Sequence, residues 1–243
     1  MRFIGERRAL AAAVIAFFTL QFLLSGFLVD GPYRGMLIGL GFVYGTAFVA
    51  VVAGYFWARW YALGLAFSGV GMAAMTLVRT GELPPVVLFI GISHAIIGFG
   101  LLGPDAATFY DGRRDWRERW KMDENAVNRL GKAVTRAGAS LPYLIIAGLA
   151  PKEGAGYWVS ALALAGAFVG LTALLRMRTW GVFALGAAAV AAFAACANLA
   201  PWLGVSAGPG GGTIMITPWF VGFALTAAVI PFSAPIARYL RAR

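Results

Sequence analysis

The sequence predicts an all-α fold, a polytopic transmembrane helical bundle of eight spans with both termini cytoplasmic. Three observations carry that prediction. Of the 243 residues, 60% are hydrophobic and only 12% charged, with a mean hydropathy of +0.78. Soluble domains average roughly half apolar and about a quarter charged. Charge-free runs long enough to cross a bilayer recur from one end of the chain to the other. The basic residues, finally, fall unevenly between alternate connections.

Each span is read from the gaps between charges, because a charge at membrane depth costs several kcal/mol. Ala9 to Val29 gives 21 uncharged residues, Gly35 to Ala58 gives 24, Trp60 to Val78 gives 19 and Leu83 to Pro104 gives 22. Ala137 to Pro151 gives only 15, short of the roughly 17 to 25 that a spanning helix needs. Gly154 to Leu175 gives 22. Arg178 and Arg238 enclose 59 uncharged residues, which PWLGVSAGPGGGT (201–213) divides into spans near Trp180–Ala200 and Ile214–Ala237. That glycine-rich stretch reads as a flexible outer turn rather than a re-entrant segment.

Charge sets the orientation and argues for the short fifth span. With eight spans, 17 of the 20 basic residues lie inside, against Arg34, Arg79 and Lys152 outside. If the fifth segment did not cross, the division would fall to 13 against 7. Arg2, Arg7 and Arg8 precede the first apolar run as they would in a signal sequence. That run's 21 residues exceed the roughly 7 to 15 of a signal core, and no Ala-x-Ala-like site ends it. It reads as an uncleaved first span, and the expected location is the inner (plasma) membrane.

One connection exceeds a turn. Residues 105–136 hold 14 of the 30 formal charges and separate spans 1–4 (residues 1–104) from spans 5–8 (137–243). No residue-level match relates the two parts. The spacing predicts two helices in this connector, Arg113–Met122 and Glu124–Gly138, with Asp123 as N-cap of the second. Val127, Leu130 and Val134 share an inward face, and Asn128, Arg129 and Lys132 an outward one. The second helix should run into the fifth span, with Pro142 as its kink and Arg136 reaching the interface. Pro231 and Pro235 should bend the last span, and the Gly41–Gly45 and Gly166–Gly170 pairs suit close helix contacts.

Several chemistries are excluded. Cys196 is the only cysteine and His94 the only histidine, so an intramolecular disulfide, a bis-histidine haem and a three-histidine zinc site are impossible. No Asp, Glu or Lys lies within a span, which removes a Schiff-base lysine and disfavours a proton-coupled carrier built on a buried carboxylate. The chain contains no phosphate-binding glycine loop, metal motif or catalytic signature, and no cofactor is expected. The net charge of +10 is that of cytoplasmic loops and does not point to nucleic acid.

Two candidate sites remain. His94 lies mid-span and titrates near neutrality in water, with Gln21 and Asn198 as possible intramembrane partners. The plainer reading is a neutral imidazole hydrogen-bonded across a helix pair. The connector places Arg113, Trp116, Arg117, Trp120 and Lys121 together, a composition suited to anionic lipid headgroups or to a soluble or membrane protein partner. The expected function is therefore non-enzymatic: a scaffold, accessory subunit or regulator acting through that loop. The alternative is a carrier or binding protein for an apolar, lipid-like small molecule near His94. A membrane enzyme ranks third, for want of a second acid–base group at depth.

Overall fold

A computed structural model describes residues 4–28, 30–111, 118, 123–149, 155–197, 203–206 and 213–241. Among them are nine helices and a two-stranded hairpin. The helices are α1 (Ile4–Leu28), α2 (Arg34–Ala53), α3 (Ala58–Thr80), α4 (Pro85–Leu101), α5 (Pro104–Asp111), α6 (Glu124–Leu149), α7 (Ala155–Leu175), α8 (Gly181–Cys196) and α9 (Trp219–Arg241). The strands are β1 (Leu203–Ser206) and β2 (Thr213–Ile216). Five helices, α1, α2, α3, α7 and α9, are long and apolar enough to cross a membrane. A sixth crossing is formed if α4 and α5, bent by 71°, make one span. This content of long apolar helices indicates an integral membrane protein.

The helices pack as two rings that share a seam. In the first, α1 packs on α2, α2 on α3, α3 on α4 and α4 back on α1. In the second, α6 packs on α7, α7 on α8, α8 on α9 and α9 back on α6. The seam is α3 against α6, with α2 also touching α6. Small residues set these approaches. A Cβ on Gly64 would lie 2.5 Å from the Thr135 carbonyl, so α3 and α6 touch backbone to backbone there. Gly41 and Gly45 face α1, and Gly166 and Gly170 face α8, so both small-residue pairs lie at helix contacts.

Three arginines tie one end of the first ring. Arg7 donates to the carbonyls of Phe99 and Leu102, Arg8 to those of Val51 and Val52, and Arg59 to that of Leu101. These are carbonyls of the last turns of α2 and α4 and of Leu102, the residue that follows α4; such terminal carbonyls have no donor within the helix, and the helix ends carry the negative pole of the dipole. The basic residues at this end therefore cap helices as well as contributing charge. Tyr110, from α5, also donates to Val51, at 3.2 Å.

The elements depart from the sequence reading in three places. The stretch read as a plain flexible turn contains an antiparallel hairpin, with Leu203 opposite Ile216 and Ser206 opposite Thr213. The hairpin is pinned to α3, because the Met215 N–H donates to the buried Thr76 hydroxyl at 3.1 Å. Ile214 therefore belongs to a strand, and the last helix starts at Trp219 rather than Ile214. The fourth apolar run does not continue straight to Pro104. It ends at Leu101, and Gly103, at φ +107°, turns the chain into α5, which occupies the start of the expected loop. The expected second connector helix and fifth span form one helix, α6, and Pro142 lies inside it, as Pro231 and Pro235 lie inside α9. Asp123 caps α6 by accepting from the Ala126 N–H at 2.6 Å. Val127, Leu130 and Val134 are buried and Asn128 and Lys132 exposed, whereas Arg129, expected on the outward face, is half-buried. The first connector helix, Arg113–Met122, falls almost wholly outside the described residues.

Candidate functional site

The first ring encloses a cavity of about 510 Å³ around His94. Helical spacing builds its walls. On α1, Phe18, Gln21, Phe22 and Ser25 recur at three- and four-residue intervals, which puts them on one face. On α2 the same rule aligns Met36, Leu40 and Tyr44, and on α4 it aligns Val86, Ile90 and His94. Gly69 and Met72 of α3, Pro142 and Ile146 of α6, and Ile214 of β2 complete the lining.

His94 is held on both ring nitrogens. Its Nδ1 lies 2.8 Å from the Ile90 carbonyl, one helical turn earlier. A carbonyl can only accept, so Nδ1 carries the proton. In the neutral ring that leaves a lone pair on Nε2, and the Tyr44 phenol donates to it across 2.5 Å. His94 and Tyr44 are both almost fully buried, and the Ser68 hydroxyl neighbours the phenol. Ser68 itself donates to the Leu65 carbonyl at 2.7 Å. The pair is thus a satisfied polar network within an apolar surround.

Aromatic rings fix its position. Phe18 lies 4.7 Å from the His94 ring and 5.5 Å from Tyr44, and Phe22 lies 5.4 Å from Tyr44. On the other side of the imidazole the packing depends on a missing side chain. A Cβ on Gly69 would fall 2.1 Å from His94 Cγ, so only glycine lets the ring sit against α3. Phe17 and Phe89, edge to face at 5.7 Å and each about half exposed, flank the cavity where α1 meets α4.

Of the residues singled out from sequence, His94 and Gln21 line this one cavity. Gln21 turns to Ser25, whose hydroxyl is 3.3 Å from its amide nitrogen. Asn198, and the connector residues Arg113, Trp116, Arg117, Trp120 and Lys121, lie outside the described residues. Sequence reasoning missed Tyr44 and Gly69. The signal for Tyr44 was its depth, since a phenol in the middle of a 24-residue uncharged run needs a hydrogen-bond partner. Gly69 gave no signal, being one of 32 glycines. Comparison with protein-family models, with curated proteins and with solved structures found no match to this chain.

Proposed function

We propose that this membrane protein binds or carries an apolar, lipid-like small molecule, held in the aromatic cavity with its polar end at His94 and Tyr44. The observation that carries this reading is the cavity itself. Its volume lies within the range of about 300 to 1,000 Å³ typical of ligand sites, and its lining is aromatic and aliphatic with few polar groups. The sequence alone ranks a scaffold acting through the Arg113–Lys121 segment first; the cavity is what supports the carrier reading instead. Partner or headgroup docking by that segment rests on its composition only.

The hydrogen-bond pattern favours a class of ligand. The Tyr44 proton is engaged by His94 and the Ser68 hydroxyl neighbours the phenol, so the pair has no proton to donate and only the remaining acceptor capacity of the phenol oxygen to offer, which favours a ligand hydroxyl as donor. A long-chain or polycyclic alcohol meets both requirements. In this reading α1 to α4, the second half of α6, and α7 to α9 make eight crossings of the inner membrane, with both termini cytoplasmic. The cluster of Arg7, Arg8 and Arg59 at one end supports that orientation.

The test is organic extraction of the purified protein followed by mass spectrometry, comparing the wild type with Leu40→Trp, which fills the cavity. The wild type should release an apolar alcohol that Leu40→Trp lacks. Identical extracts from two equally folded proteins would overturn the reading.

A further inference from the structure

A second opening lies on the other side of the seam, between α3, α6 and α9, and encloses about 640 Å³. One end of it is cationic: Arg59 comes from α3, and Lys132 and Arg136 from α6. Asn128 and Thr135 stand on the same face of α6, three to four residues from those cations. Among the described residues that line the cleft, none is acidic. Arg136 is oriented by the backbone carbonyl of Ala227, which holds the guanidinium group without cancelling its charge. Lys132 is exposed.

The opposite end is apolar. Leu63 and Phe67 follow Arg59 along α3, Ala139 follows Arg136 along α6, and Phe220 and Phe223 lie on α9. Phe67 is 53% exposed and Phe223 63%, so the apolar end opens sideways, in the direction a bilayer surrounds the bundle. A strip that is cationic at one end and open and apolar along the rest matches a molecule with a negative head and a hydrocarbon tail.

We infer that this cleft is a binding site for one anionic phospholipid, with its phosphate at Lys132 and Arg136 and an acyl chain along Phe67 and Phe223. The charge complementarity and the lateral opening together select a lipid of the surrounding membrane over a water-soluble phosphate. The site is separate from the His94 cavity, and it stands whether or not that cavity holds a ligand.

The test titrates the full-length protein in detergent with phosphatidylglycerol or with phosphatidylcholine of the same acyl chains, and counts bound lipid by native mass spectrometry. One phosphatidylglycerol should bind about tenfold more tightly than phosphatidylcholine, since both carry the phosphate and only phosphatidylcholine adds a positive charge that the basic residues repel. Lys132→Glu, at an exposed position, should weaken phosphatidylglycerol about tenfold or more. Ala224→Phe, which keeps all three cations but blocks the apolar end, should weaken both lipids. Arg34→Glu, at the start of α2, should change neither. Equal affinity for the two lipids would overturn the inference, as would a Lys132→Glu or Ala224→Phe protein that binds like the wild type. Equal loss in Arg34→Glu, or displacement of phosphatidylglycerol by equimolar glycerol 3-phosphate, would also overturn it.

Discussion

Arg136 donates from Nη1 to the Ala227 carbonyl at 2.6 Å, and Ala227 is the residue four positions before Pro231. In an uninterrupted helix that carbonyl would accept from the N–H of residue 231, which proline lacks. A side chain from α6 thus supplies the hydrogen bond that α9 cannot make for itself. This explains how a proline sits inside α9 without ending it, and why a partly buried arginine is held there.

The relationship predicts a coupling. Arg136→Met should destabilise the protein by about 1.5 to 3 kcal/mol, the range for a hydrogen bond to a charged group. In a Pro231→Ala background the backbone donor returns, so the same substitution should cost clearly less. Reversible denaturation in detergent of the four proteins of the cycle measures this, and additive effects would show that the two positions act independently.

His94 and Tyr44 should behave as one unit. Tyr44→Phe removes the donor to Nε2 and leaves a buried acceptor unsatisfied, at about 1 to 3 kcal/mol. His94→Phe strands the phenol by a similar amount. The double variant replaces both polar groups and should cost less than the sum of the two. Thermal unfolding of the three variants beside the wild type reads this directly.

Gly69→Ala should be more damaging than an alanine in a helix ordinarily is. The new methyl would overlap the imidazole, and overpacking of this kind costs about 1 to 3 kcal/mol. If the His94 ring is the cause, Gly69→Ala combined with His94→Ala should unfold at a higher temperature than Gly69→Ala combined with the native histidine. No rescue would place the clash elsewhere.

Much of the helical pattern was legible because charges are expelled from apolar helices. The runs Gly35–Ala58 and Gly154–Leu175 anticipate α2 (Arg34–Ala53) and α7 (Ala155–Leu175) within a few residues. The three- and four-residue spacing of Val127, Leu130 and Val134 likewise named side chains that are buried. The hairpin was not legible, because each strand is only four residues long and what anchors it is distant in sequence, at Thr76. The same holds for the cavity. His94 announces itself as the only histidine, but its partner is 50 residues away on another helix, and no local pattern links the two. Arg7, Arg8 and Arg59 were legible as charge and not as caps, since the carbonyls they reach lie on α2 and α4.

The proposed topology turns on α6, whose first half carries Arg129, Lys132 and Arg136 and whose second half, residues 137–149, supplies 13 of the 15 uncharged residues of the fifth span. If that half crosses, the turn after α7 lies on the cytoplasmic side; if it does not, that turn lies outside. Cysteine labelling separates the two, because the one native cysteine is buried and can be replaced by Cys196→Ala. In that background Glu82→Cys, Asn128→Cys and Arg178→Cys each place a thiol at an exposed position. An impermeant maleimide added to intact cells should label Glu82→Cys alone. Asn128→Cys and Arg178→Cys should react only once the membrane is opened. Labelling of Arg178→Cys in intact cells, with Asn128→Cys still protected, would show that α6 stays on one side. It would also leave the basic residues divided 13 to 7 instead of 17 to 3.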